Sequence, residues 1–285
     1  VQQDASLSPT VSPPADRPLA TAPAAFWIGW FSFREMVRRR RLIFLGLMML
    51  VPVLVPLAWR IWDTEGLISA ELLLTNLGRL LYIHVLIAVA ALAVGISAIG
   101  EQVEDGTILY YWTRPLSRAA IYSGRLLAAQ MVAGVLLVGS MVLCFIVMVT
   151  GNFGILSLKF LGLYLGTCTV IVIGAFVYTA IFALLGTALR RPIVPAIVFA
   201  FGWESISGNV PLRLKQLTVV FHLRNLIRYA EPEIGGEPSF LRDIKRAIFP
   251  ETLVPEWQSY LALLGTLIVV TVLGIWILRR KEIFR

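Results

Sequence analysis

Leu42–Trp59, Leu80–Ile99, Leu126–Val149, Phe160–Leu189 and Tyr260–Leu278 are apolar runs with almost no charged group inside them. A run of about 18 or more such residues is long enough to cross the hydrocarbon of a bilayer as one helix. In lipid the backbone must satisfy its own hydrogen bonds, so these runs leave helices as the only economical structure. The remaining composition agrees, since 58% of the 285 residues are hydrophobic and 15% are charged. A water-soluble domain cannot cover that much apolar side chain with polar surface. A sixth run begins at Ile193 and stops at Trp203, where Glu204 follows. It reaches spanning length only if it continues to Val210, and residues 193–210 are taken as a sixth span because an odd number would separate the final arginines from the earlier basic clusters. The fold expected is an all-α integral membrane protein with six transmembrane helices.

The net charge of +8 rests on arginines that flank the apolar runs. A nucleic-acid-binding domain would instead gather them on one face of a soluble fold. With the N-terminus placed in the cytoplasm, that side collects Arg34, Arg38, Arg39, Arg40, Arg41, Arg114, Arg118, Arg125, Arg190, Arg191, Arg279, Arg280, Lys281 and Arg285. The short outer loops hold Arg60, Arg79 and Lys159. The positive-inside rule therefore puts both termini in the cytoplasm.

Residues 1–25 carry Pro9, Pro13, Pro14, Pro18 and Pro23 among Ser, Thr and Ala and read as a disordered cytoplasmic tail, not a signal peptide. Residues 26–41 set Phe26, Trp27, Trp30, Phe31 and Phe33 beside the arginine cluster, which suits a helix lying in the membrane interface or a plain topology anchor. Residues 42–285 form the transmembrane domain. Within the long outer segment, Leu217, Val220, Phe221, Leu223, Leu226 and Ile227 give an apolar stripe at helical spacing, as for a helix lying on or dipping into the outer leaflet. Gly162 and Gly166 in the fourth span have the spacing of a close helix contact, read as packing within the chain.

No phosphate loop is present, because none of the four lysines follows a glycine. Cys144 and Cys168 both lie inside apolar stretches and suggest neither disulfide nor zinc chemistry. His84 and Glu204 are ionisable residues near the outer ends of spans two and five. Each is a candidate for the translocation path. His84 reads first as a histidine bonded to a neighbouring helix or to interfacial water, whereas for Glu204 pairing with an arginine of the following segment stands level with the path.

One polar cassette interrupts this pattern on the cytoplasmic side, running GEQVEDGTILYYWTRPLSRAAIYSGR from Gly100 to Arg125. Glu101 and Glu104 share a face if span two continues as a helix past Gly100. Gly106 permits a break, Thr107 can cap a short aromatic helix through Ile108, Leu109, Tyr110, Tyr111 and Trp112, and Pro115 ends it. Ser117 can then cap the helix that becomes span three.

Glu101, Glu104, Gly106 and Thr107, followed by Arg114, Pro115, Ser117 and Arg118 and then Gly124 and Arg125, resemble the first cytoplasmic loop of ABC-2 type transporter permeases, in particular their bacterial NosY-like branch. The aromatic Tyr110, Tyr111 and Trp112 depart from the leucines common there, and Arg125 stands where a lysine is usual. The resemblance implies an elbow helix before span one, six spans, a structured outer segment before span six, and a location in the bacterial inner membrane. It also implies that the cassette is a coupling helix docking on a separate ATPase subunit, which would hold the ATP and Mg, so this chain needs no cofactor. Ile108, Leu109 and Trp112 would supply the docking surface, with Glu101, Glu104, Arg114 and Arg118 bracing it. A second permease copy, most simply as a homodimer, would complete the path for export. A membrane scaffold or assembly factor, or an intramembrane enzyme, is the alternative function.

Overall fold

The computed structural model describes residues 21–38, 40–62, 69–104, 117–150, 154, 157–189, 191–203, 216, 218–227 and 254–280. Among these residues there are helices and no strand. Helix α1 covers Thr21–Val37, beginning ahead of the Phe26 boundary read from composition. Span one joins α2 (Arg40–Met48) through a 3-10 turn at Val51–Val53 to α3 (Leu54–Trp62). Span two starts at α4 (Ala70–Asn76), passes through π-helical turns over Leu77–Leu86, and continues as α5 (Ile87–Glu104). Then follow α6 (Arg118–Val149) and α7 (Leu158–Ala188). Next come α8 (Ile193–Ile197) with π-helical turns over Val198–Trp203, α9 (Val219–Leu226) and α10 (Glu256–Arg280).

Five helical segments are long and apolar enough to cross a membrane: Leu42–Trp62, Ala70–Gly100, Arg118–Val149, Leu158–Ala188 and Glu256–Arg280. Span two therefore begins well before the Leu80 start read from the sequence, because the helix tolerates Glu71 and Arg79 near its end. The apolar helix Ile193–Gly202 is shorter, and the Glu204–Val210 stretch that would complete it lies outside the described residues. Also outside are residues 1–20, the cassette from Asp105 to Leu116, and residues 228–253.

Helices α5, α6 and α7 form the centre of the bundle. Helix α7 is apolar nearly all round, as suits a helix that meets protein along most of its length and exposes a face near its start, and buries Val170, Ile171, Ala175, Tyr178, Ala180 and Phe182. Small side chains set the spacing. A methyl group at Gly186 of α7 would stand 2.9 Å from the Ile96 carbonyl oxygen of α5, so these backbones touch. Thr167, Thr187, Thr266 and Thr271 each turn the hydroxyl back onto the carbonyl four residues earlier, which satisfies it inside an apolar helix. Outward faces are apolar: Ile43, Phe44, Leu47 and Leu54 on span one, and Leu261, Ile268, Val269 and Val272 on α10, are exposed.

Gly162 and Gly166 correct their sequence reading. Both lie on an exposed face of α7, and a side chain at either would meet nothing within 4 Å. Among the described residues they mediate no packing, because the face they occupy turns away from the helices around α7.

Contacts between distant helices fix which ends lie together. At one end, Arg118 of α6 reaches the last turn of α10, and Gly100 of α5 meets Gly186 of α7. Because arginines gather there, we call it the basic end. At the opposite end, Glu71 of α4 pairs with Lys159 of α7 at 3.1 Å, and Arg79 donates to the Arg224 carbonyl of α9 at 3.3 Å. The apolar stripe of the outer segment does not rest on a surface. Val219, Val220, Leu223 and Leu226 of α9 are buried in the bundle, where Leu223 and Ile87 close over Gly174.

Candidate functional site

At the basic end the two helices that flank the cassette are anchored on both sides of it. Helix α5 continues past Gly100 to Glu104, so Glu101 and Glu104 lie in one helical turn, as their spacing predicts. Gly106, Thr107, Ile108, Leu109, Trp112, Arg114 and Pro115 fall outside the described residues. The chain returns at Ser117, whose hydroxyl accepts from the Ala120 N–H at 3.1 Å and caps α6. The neighbouring Arg118 donates through Nη1 to the Arg279 carbonyl at 2.7 Å, tying the start of α6 to the end of α10. That carbonyl lies in the last turn of a helix, where a cation is favoured.

About two turns further along α6, Gly124 and Arg125 divide two tasks. A methyl group at Gly124 would stand 2.6 Å from the Ala25 carbonyl oxygen, so only glycine lets α1 lie directly on α6. Arg125 is 3% exposed, and its guanidinium donates through Nη1 to the Ala98 carbonyl of α5 at 3.1 Å. Its Nη2 lies 3.6 Å from Oε2 of the half-exposed Glu35 of α1. One arginine thus spans three helices, α1, α5 and α6. A small cavity of ≈ 50 Å³ opens beside it, between Glu35, Leu45, Val94 and Ser97. Sequence reasoning missed Glu35. Its signal was a single carboxylate between Arg34 and Arg38, where the positive-inside pattern has no use for one.

Of His84 and Glu204, the structure describes only the first. Glu204 lies outside the described residues. His84 sits in the π-helical part of span two, and its Nδ1 is 2.9 Å from the Arg79 carbonyl oxygen. A carbonyl only accepts, so Nδ1 carries the proton, and Nε2 accepts from Arg224 of α9. The histidine therefore ties α9 to span two. A second network holds the other side of α9. The buried His222 donates through Nε2 to the Gln216 carbonyl at 2.8 Å and accepts at Nδ1 from Ser259 at 3.2 Å. Asn225 donates to that same Ser259 oxygen at 3.0 Å and to the Val254 carbonyl at 2.7 Å. Burial holds the His222 pKa below its ordinary value.

Among the described residues, no group of His, Cys, Asp and Glu is placed to hold a metal ion. Charged and polar side chains here join helices across long sequence separations. No curated protein matches the chain significantly. A family model described as ABC-2 family transporter protein matches residues 26–283. The match runs from the first aromatic residues of α1 to just beyond α10, and the chain belongs to that family as a multi-pass membrane permease component of an ABC transporter.

Proposed function

We propose that this chain couples ATP hydrolysis on a separate ATPase subunit to export of a substrate across the bacterial inner membrane, with both termini cytoplasmic and the basic end facing the ATPase. The family's permeases work with such an ATPase. The observation that carries the reading is the pair of arginine ties at the root of the cassette. Arg118 holds the Arg279 carbonyl, and Arg125 holds the Ala98 carbonyl and faces Glu35. A push on the segment between Glu104 and Ser117 therefore reaches α1, α5, α6 and α10 together. In this reading Ile108, Leu109 and Trp112 dock on the partner and residues 101–118 act as the coupling helix, as in the NosY-like branch.

Six crossings follow from the same proposal. Helix α7 ends at the basic end beside Gly100, whereas Gln216 and α9 already bond to groups at the opposite end. The intervening chain, with α8 inside it, has that distance to cover. A second copy of the chain completes the path, and the exposed Gly162 and Gly166 offer it a close backbone approach.

The test is reconstitution with the co-purifying ATPase subunit. Reversing charge at Glu101→Lys and Glu104→Lys is expected to return stimulated hydrolysis to the ATPase's basal rate. Unchanged association and unchanged stimulation in the reversed variant would sink the coupling role.

A further inference from the structure

Span one is broken in its middle, and the break is held by side chains of two other helices. Pro52 has no N–H to give, and the Val53 N–H bonds to the Leu50 carbonyl at 3.0 Å instead of continuing the α-helical ladder to Met49. The Met49 carbonyl is thereby released inside the membrane, where an unpaired carbonyl is costly. Ser140 of α6 donates to it at 2.5 Å. With its only proton committed there, Ser140 accepts from the Tyr82 hydroxyl at 2.8 Å, and Tyr82 accepts in turn from the Cys144 thiol, 3.6 Å away. Met49, Tyr82 and Cys144 are all buried. Tyr82 comes from the π-helical part of span two, and such turns recur at functional positions.

Beside this chain of bonds runs an open groove of ≈ 190 Å³ between spans one and three, lined by Gly46, Met49, Leu50, Val135, Gly139 and Ser140, with Leu50 and Val135 exposed on the outside of the bundle. Among the described residues, a side chain at Gly46 or at the exposed Gly139 would meet nothing within 4 Å, so no side chain there wedges span one against α6. The half of span one beyond the break, α3, has exposed Leu54, Val55 and Leu57 and rests on the bundle through Pro56 and Trp59, so a swing of α3 uncovers those two side chains.

We propose that Ser140 and Tyr82 are positioning residues that latch the bend of span one, and that releasing the latch lets α3 swing away from α6. A hydroxyl pair is suited to this task. It satisfies the freed carbonyl in the held state, and its loss costs only a modest amount, because other partners are available within the membrane.

Two measurements on the full chain in lipid vesicles, with no ATPase present, test this separately from the transport reading. First, Cys144 is a native reporter in a Cys168→Ser background. Ser140→Ala and Tyr82→Phe are expected to raise its labelling rate by a membrane-permeant maleimide about tenfold, the scale of one lost hydrogen bond. Ser140→Thr keeps the hydroxyl and should label at the parent rate. Second, spin labels at Leu57→Cys and Ile146→Cys, in a Cys144→Ser and Cys168→Ser background, report the separation of spans one and three. Ser140→Ala should broaden that distance distribution toward longer values. Unchanged labelling overturns the latch. So does faster labelling with an unchanged distance distribution, since the substitution would then only have opened a path for the reagent. Tyr82→Phe keeps the ring and its packing, so the test stands if Ser140→Ala folds poorly.

Discussion

Arg125 of α6 and the Ala98 carbonyl of α5 lie 3.1 Å apart in the buried basic end, joined by a hydrogen bond from the guanidinium. The bond connects the helix that enters the cassette to the helix that leaves it. Arg125→Ala removes it and is expected to lower stability by about 1.5–3 kcal/mol, the range for a hydrogen bond involving a charged group. Glu35→Gln should cost less than about 1 kcal/mol, because that carboxylate is half exposed and its contact is long. Thermal unfolding of the purified protein in one detergent checks the order. Equal losses for both variants would mean that the ion pair, not the bond to Ala98, holds the helices.

Gly124→Ala should displace α1 from α6, since the new methyl would meet the Ala25 carbonyl oxygen at 2.6 Å and Ile28 Cβ at 3.0 Å. A cost of about 1–3 kcal/mol is expected for such overpacking. Gly265→Ala is the control, because a side chain there would meet nothing within 4 Å among the described residues, and it should leave stability unchanged or raise it by up to about 1 kcal/mol. The same unfolding assay separates the two, together with protease cleavage near residue 25, which should quicken only in Gly124→Ala.

Arg118→Ala is expected to weaken coupling without unfolding the chain. Its bond to the Arg279 carbonyl is exposed, so the stability change should stay below about 1 kcal/mol. ATPase stimulation in the reconstituted complex should nevertheless fall several-fold. A variant with full stimulation would show that α10 does not share in the transmission.

Stability should fall on acidification through His222. Its folded pKa lies below the ordinary histidine value of 6.5, because burial disfavours the charged ring. Above that value the ring is neutral in both states and pH has no effect through this group. As pH falls below it, the unfolded chain takes up a proton that the folded chain resists, so stability declines toward the folded pKa. Melting curves of the parent and His222→Gln between pH 7.5 and 5 test this, and the parent should lose more on acidification. Parallel curves would remove His222 as the cause.

What the sequence determined by itself is the set of elements whose causes are local. An apolar run long enough to cross lipid must be helical wherever it lies, so Leu126–Val149 and Phe160–Leu189 were readable without any neighbour. Ser117 as a helix cap was readable for the same reason, since its partner, the Ala120 N–H, is three residues away. Glu101 and Glu104 fell in one helical turn as their spacing requires. Tertiary structure decided the rest, because each remaining role is played between residues far apart in the chain. Glu35 acquires meaning only beside Arg125. His84 became a tie to Arg224, and Ser140 became the partner of a carbonyl that the Pro52 break had released. Gly162 and Gly166 had the right spacing for a helix contact, and yet only the packing of α7 showed that they face outward. Periodicity tells which face of a helix is apolar or small; in a membrane both the protein and the lipid are apolar, so it does not tell which of the two that face meets.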